Sequence, residues 1–215
     1  MLNTITDAVG QVAQGVGNIF GIRHGTEEPA FTVEREVGRV QVRRYGPRVA
    51  AETTVGADEE SARNQGFRLL AGYIFGANSS GGKIAMTAPV AQQTSETIAM
   101  TAPVATQRTP SGEWVIRFFM PSTYTLESLP VPNDDRVRLV TVPSETVAVL
   151  RFTGTIDPEA VSARTAQLLK ILYRNDIEPT GDPLAWFYDP PWTLPCLRRN
   201  EVVVSVPTDT CLADT

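Results

Sequence analysis

A chain of 215 residues is long enough for one substantial core, or for two small halves that share one. Its 42% hydrophobic and 20% charged residues are those of an ordinary globular protein, and no run approaches the roughly 20 apolar residues of a membrane span. A formal net charge of −5 argues against a nucleic-acid partner, because neutralising phosphates takes a basic face.

The first element in chain order is an apolar stripe at helical spacing: Leu2, Ile5, Val9, Val12, Val16, Ile19 and Phe20. It has neither the basic start nor the continuous apolar run of a signal peptide, which favours the cytoplasm; a signal already trimmed away leaves the periplasm open. Gly10, Gly15 and Gly17 each weaken such a helix by about 1 kcal/mol relative to alanine, so it needs a surface to dock on. That surface is the domain itself or, alternatively, a membrane interface or protein partner, although the lysines of interfacial helices are missing. A glycine-flanked linker, Gly21 to Gly25, follows and holds the sole histidine, His24.

Two stretches then repeat one plan. Arg39-Val-Gln-Val and Arg136-Val-Arg-Leu each open a strand, and the alternating runs Val49 to Val55 and Val147 to Phe152 supply the next. A glycine follows each (Gly56, Gly154), then an aspartate placed to cap a helix (Asp58, Asp157). Glu59 and Glu60 suit the positive end of the first helix, and Pro158 suits the first position of the second. Ala62, Phe67, Leu70, Ala71 and Ile74 form the inward faces of helix one; Val161, Leu168, Leu169 and Leu172 do so in helix two. The first half should close with strands from the heptad Ile-Ala-Met-Thr-Ala-Pro-Val, written identically at 84–90 and 98–104, and from Trp114 to Met120. Leu184 to Tyr188 and Glu201 to Val206 should close the second. Pro89 and Pro103 belong at strand ends, bulges or edges, since proline donates nothing to a ladder. Pro121 to Asp135 is a turn-rich connector.

The expectation is therefore an α+β domain of two pseudo-two-fold β-β-α-β-β units, about 33–120 and 136–206. They should form a curved antiparallel sheet or distorted β-barrel with two helices packed on one side. A groove between helix and sheet is the natural ligand site in that layout. Residues 1–25 are an N-terminal helix and linker, 26–207 the domain, and 208–215 a tail.

Thr26 to Glu36, Val42 to Thr53, Gly66 to Asn78, the twin heptads, Trp114 to Pro132 and Tyr188 to Val202 carry a resemblance in that order. Read together, these strings resemble the SOUL/heme-binding protein family over about residues 26–206. The resemblance implies a domain that binds heme or a related tetrapyrrole and shares the shape of bacterial effector-binding domains. It places the pigment against the first helix near the loop before the last strand, which here means Arg63, Phe67, Leu70, Ala71 and Ile74 with Tyr188, Trp192 and Thr193. Some members carry basic groups where this chain has Gly72 and Thr193, so propionate pairing falls to Arg63, Arg68 or Arg198. Where some members have a histidine before Tyr-Gly-Pro, this chain has Arg44, which does not normally ligate iron. That leaves His24 or Tyr45 as the iron ligand, with Tyr188, Met86 and Met100 as alternatives, or binding through apolar contact without a protein ligand.

The implied role is heme buffering, carriage or sensing. The alternative from another class is an effector-binding or protein-interaction module of the same fold, and a third is an enzyme acting on tetrapyrroles. No catalytic constellation stands out: Gly-x-Ser-x-Gly, Walker and GxGxxG strings are absent. One histidine excludes multi-histidine metal sites. Cys196 and Cys211 are the only cysteines, too few to decide the redox compartment.

Overall fold

A computed structural model describes residues 27–79, 98, 101–189 and 193–208. The elements in order are β1 (Phe31–Val37), β2 (Val40–Tyr45), β3 (Arg48–Val55), α1 (Glu59–Ile74), β4 (Asn78–Ser79), β5 (Val104–Arg108) and β6 (Trp114–Phe119). There follow β7 (Val131–Pro132), β8 (Arg138–Val142), β9 (Glu145–Phe152), α2 (Pro158–Tyr173), β10 (Leu184–Phe187), a 3-10 turn (Pro195–Leu197) and β11 (Asn200–Ser205).

Nine strands form one curled sheet in the order β1-β2-β9-β11-β10-β5-β6-β3-β8, and every pairing is antiparallel. From β2 to β8 that order is a palindrome of the two units. Strands β5 and β10 meet at the centre, and the first strand of each unit pairs with the second strand of the other (β2 with β9, β8 with β3). Because each unit lends its first strand to its partner, neither half closes a sheet alone. Strand β1 extends one end through a hairpin whose turn uses Gly38 at φ +61°, a conformation that costs glycine nothing. The small pair β4–β7 ties the end of α1 to the connector, where only turns were expected.

Both helices begin as their capping residues dictate. The Asp58 Oδ1 accepts from the Ser61 N–H at 3.0 Å, and the Asp157 Oδ1 accepts from the Ala160 N–H at 2.8 Å. Pro158 occupies the first turn of α2. Side chains alternate along each strand, and both helices take the same face of the sheet. α1 buries Leu70 and Ile74 with Ala51, Val55, Ile116 and Phe118; α2 buries Leu168 and Leu172 with Val42, Leu150, Val202 and Val204. Full burial of each leucine or isoleucine contributes about 1.5–3 kcal/mol relative to exposure. No described helix covers the opposite face, yet Tyr45, Ala50, Phe119, Val149, Trp186 and Val203 form a third buried cluster there.

Two expectations change. The groove between helix and sheet is closed where α1 crosses β6: a Cβ on Gly66 would lie 2.8 Å from the Ile116 side chain, so backbone rests directly on the strand. Of the described residues of the second heptad only Val104 belongs to a strand, as the first residue of β5, and Pro103, which has no N–H to give a ladder, stands just ahead of it. The first heptad lies outside the described residues.

Candidate functional site

The residues that the sequence assigns to one shelf divide between two places. On α1 the series 66, 70, 74 points into the sheet, and Leu70 and Ile74 are 0% and 1% exposed, packed in the core cluster. The series 63, 67, 71 lies about 60° round the helix, by its 3.6-residue pitch, and keeps some surface. Phe67 is half-buried, with its ring 5.3 Å from that of Phe118 at 64°, and Ala71 is half-buried one turn on.

Arg63 is the polar member of that series. Its Nη1 donates to the Ile156 carbonyl at 3.2 Å, Glu59 lies 3.8 Å away, and its guanidinium carbon sits 5.3 Å from the centre of the Phe187 ring. Burial holds Arg63 below its ordinary pKa against the opposing pull of Glu59. The loop bearing Ile156 is fixed in turn, because the Gly154 N–H donates to the Pro195 carbonyl at 2.9 Å. Thus α1, the β9–α2 loop, β10 and the 3-10 turn converge around one cation and one aromatic ring. Phe187 was not among the expected residues; its neighbour Tyr188 was.

Tyr188 itself turns to the other face. Its hydroxyl donates to the Glu201 Oε2 at 2.6 Å, and the Arg199 guanidinium carbon lies 3.8 Å from the centre of its ring. Glu201, 0% exposed, also accepts from Arg43 Nη1 at 3.0 Å and from Arg199 Nη2 at 3.0 Å. Arg199 reaches on to both carboxylate oxygens of Glu28, at 3.0 and 2.9 Å. Tyr45, also buried, accepts from Arg43 Nη1 at 3.5 Å. Burial works against the charges of Arg43 and Arg199, yet Glu201 and the other anionic and phenolic neighbours hold both above their ordinary pKa. Burial, reinforced by Glu201, pushes the Tyr188 phenol far up, and burial raises Tyr45 too. Both phenols are therefore protonated at neutral pH and engaged in this network.

Next to it Arg48 pairs with Glu145 and lines a cleft of about 360 Å³ between the strap Glu27–Ala30, the β2–β3 turn and Met120–Tyr124. None of Arg43, Arg48, Glu145, Arg199 and Glu201 was singled out as a site residue by sequence, beyond the strand-pinning role suggested by the charges around 198–201.

The remaining expected residues stand apart. Arg68 is exposed and donates from Nε to the Asn64 carbonyl of its own helix at 3.2 Å. Arg198 donates from Nε to the Thr193 carbonyl at 2.8 Å, bracing the 3-10 turn. His24, Trp192, Met86 and Met100 lie outside the described residues. Among the described residues no three histidine, cysteine or acidic side chains gather as a metal site. No described helix is long and apolar enough to cross a membrane.

A family profile described as SOUL heme-binding protein matches residues 26–205. The chain belongs to the SOUL heme-binding protein family. A search of curated proteins finds no match. Among solved structures, this SOUL-family chain is similar to the EcmrR C-terminal domain, with TM-score 0.57 and 11% identity, covering 78% of this chain and 96% of that one. It is also similar to a hydrolase from Listeria innocua, with TM-score 0.53 and 9% identity, covering 81% and 94%. EcmrR in its DNA complex aligns with TM-score 0.54 and 11% identity, covering 95% of this chain and 66% of that one. At such identities the likeness is one of fold.

Proposed function

We propose that this SOUL-family protein binds heme or a related tetrapyrrole on the outer flank of α1, for buffering, carriage or sensing. The observation that carries the reading is the juxtaposition of Arg63 with Phe67 on α1. A largely buried guanidinium, held by one carbonyl and a distant carboxylate, has donors left for a propionate. The half-buried Phe67 and Ala71 beside it offer apolar surface to a macrocycle. Among the described residues iron ligation has no matching support: Tyr45 and Tyr188 are protonated, hydrogen-bonded and on the opposite face. The described residues thus fit the ring and its carboxylates, and the pigment would be held by contact and charge.

A hemin titration followed by absorbance tests this. Saturable one-to-one binding is expected, abolished by Phe67→Glu and weakened about tenfold by Arg63→Ala, the loss of one charge-assisted hydrogen bond. Iron-free protoporphyrin should bind within about threefold of hemin, and His24→Ala should leave the hemin spectrum unchanged. Hemin binding no better than to an unrelated acidic protein refutes the reading.

A further inference from the structure

Tyr45 on β2, Phe119 at the end of β6 and Trp186 on β10 are brought together by strand pairing on the face away from the helices. Tyr45 and Trp186 meet edge to face with ring centres 5.5 Å apart at 83°, and Phe119 and Trp186 with centres 6.2 Å apart at 78°. Between these rings lies the guanidinium of Arg48, its central carbon 4.5 Å from the Tyr45 centre, 4.5 Å from Phe119 and 6.0 Å from Trp186. The carboxylate of Glu145 closes one edge by pairing with Nη2. Three aromatic faces and a carboxylate around one cation make a cage for a planar positive group, because the rings present their negative faces to it.

The present occupant fits that cage incompletely. Arg48 Nε and Nη1 are buried without a hydrogen-bond acceptor, as is the indole Nε1 of Trp186. Nearby Arg43 is placed differently: its Nε and Nη2 donate to Gln41 at 3.0 and 2.7 Å, and its Nη1 to Glu201 at 3.0 Å. Arg43 has every nitrogen committed and no reason to leave; Arg48 is retained by ring faces and a single carboxylate. Arg48 also lines the 360 Å³ cleft, whose lining includes a second carboxylate, that of Glu27, with Oε1 accepting from the Ser122 N–H at 2.8 Å.

We propose that this cage is a binding site for a small planar organic cation of the guanidinium or amidinium class, occupied in the free protein by the chain's own Arg48. An incoming cation takes the space between Tyr45, Phe119 and Trp186 and pairs with Glu145, while the Arg48 side chain moves into the cleft toward Glu27. Size follows from the occupant, since the rings are spaced for one guanidinium plane. Charge follows from Glu145, which a neutral isostere would leave unpaired. The site lies on the face opposite α1 and stands or falls independently of tetrapyrrole binding.

Titrating methylguanidinium into the full chain by calorimetry, with tryptophan emission in parallel, tests the proposal. Arg48→Ala should bind it one-to-one and at least about tenfold more tightly than the wild type, because the resident cation no longer competes. Adding Glu145→Gln should abolish that binding, and urea, the neutral planar isostere, should bind neither protein. Should Arg48→Ala be unfolded, recovery of its fold by methylguanidinium and not by urea supports the site. Arg48→Lys, which keeps a cation without the planar stack, is the second variant and should bind more tightly than wild type by a smaller factor. Equal affinity in wild type and variants, equal binding of urea, or no binding to any folded variant overturns the proposal.

Discussion

Under α1 and α2 the sheet buries Leu70, Ile74, Leu150, Leu168 and Val202 in apolar clusters, whereas its other face buries Arg43, Glu201, Tyr45 and Tyr188 beside Val149, Phe119 and Trp186. The two faces of one sheet therefore rest on different physics. The apolar face is additive in area and tolerates exchange of one hydrophobic side chain for another of similar volume. The mixed face is a network of charges, in which Arg43 and Arg199 share the buried Glu201, Arg199 also reaches Glu28, and Arg48 pairs with Glu145. Losing one partner there leaves a buried charge without a counter-ion, which costs far more than the pair itself contributes.

The sharpest way to break that contrast is Glu201→Ala, which removes the carboxylate shared by Arg43, Arg199 and Tyr188. It should destabilise the fold by about 3–5 kcal/mol in urea denaturation. A loss below about 1 kcal/mol would mean that water reaches the cluster. On the other face, Leu70→Ala should cost about 3 kcal/mol through lost burial and the cavity left behind. Leu70→Met should cost less than about 1.5 kcal/mol, and if it does not, the apolar face is as particular as the polar one. Gly66→Ala should cost about 1–3 kcal/mol, because the added methyl meets Ile116 at 2.8 Å; a neutral result would show that α1 lifts off β6 without penalty.

The smallest effect is seen in the alkaline limb. The Tyr188 phenol has its pKa raised in the folded state by burial and by Glu201. The unfolded chain therefore releases that proton first, from about pH 10 upward, and the stability tied to the proton is present below pH 10 and lost as pH rises above it. Stability measured between pH 9 and 11 should fall more steeply in the wild type than in Tyr188→Phe. Equal slopes would place the phenol in water.

Much of the fold is written in short-range terms. Asp58 and Asp157 cap their helices where a polar side chain ahead of an apolar 3.6-residue rhythm predicts, and the alternation of Val49 to Val55 and Val147 to Phe152 locates β3 and β9 to within two residues. The site was less legible. The expected run Leu184 to Tyr188 is right as a strand to within one residue, yet the face taken by its last member depends on a period of two. Phe187 meets Arg63, while Tyr188 meets Glu201 on the other side. Periodicity likewise brought Leu70 and Ile74 together with Phe67 and Ala71 as one stripe, and only the position of β6 separated core from flank.

What the sequence determined alone, then, is whatever depends on neighbours along the chain: helix starts, strand alternation, and the ordered strings that place the protein in its family. Tertiary structure decided the pairing of Arg43 with Glu201 across 158 positions and of Arg48 with Glu145 across 97. It also decided the exchange of first strands between units and the ring cage around Arg48. The physical reason is that a buried charge finds its counter-ion through space. Strand register carries that information, and no local preference encodes it.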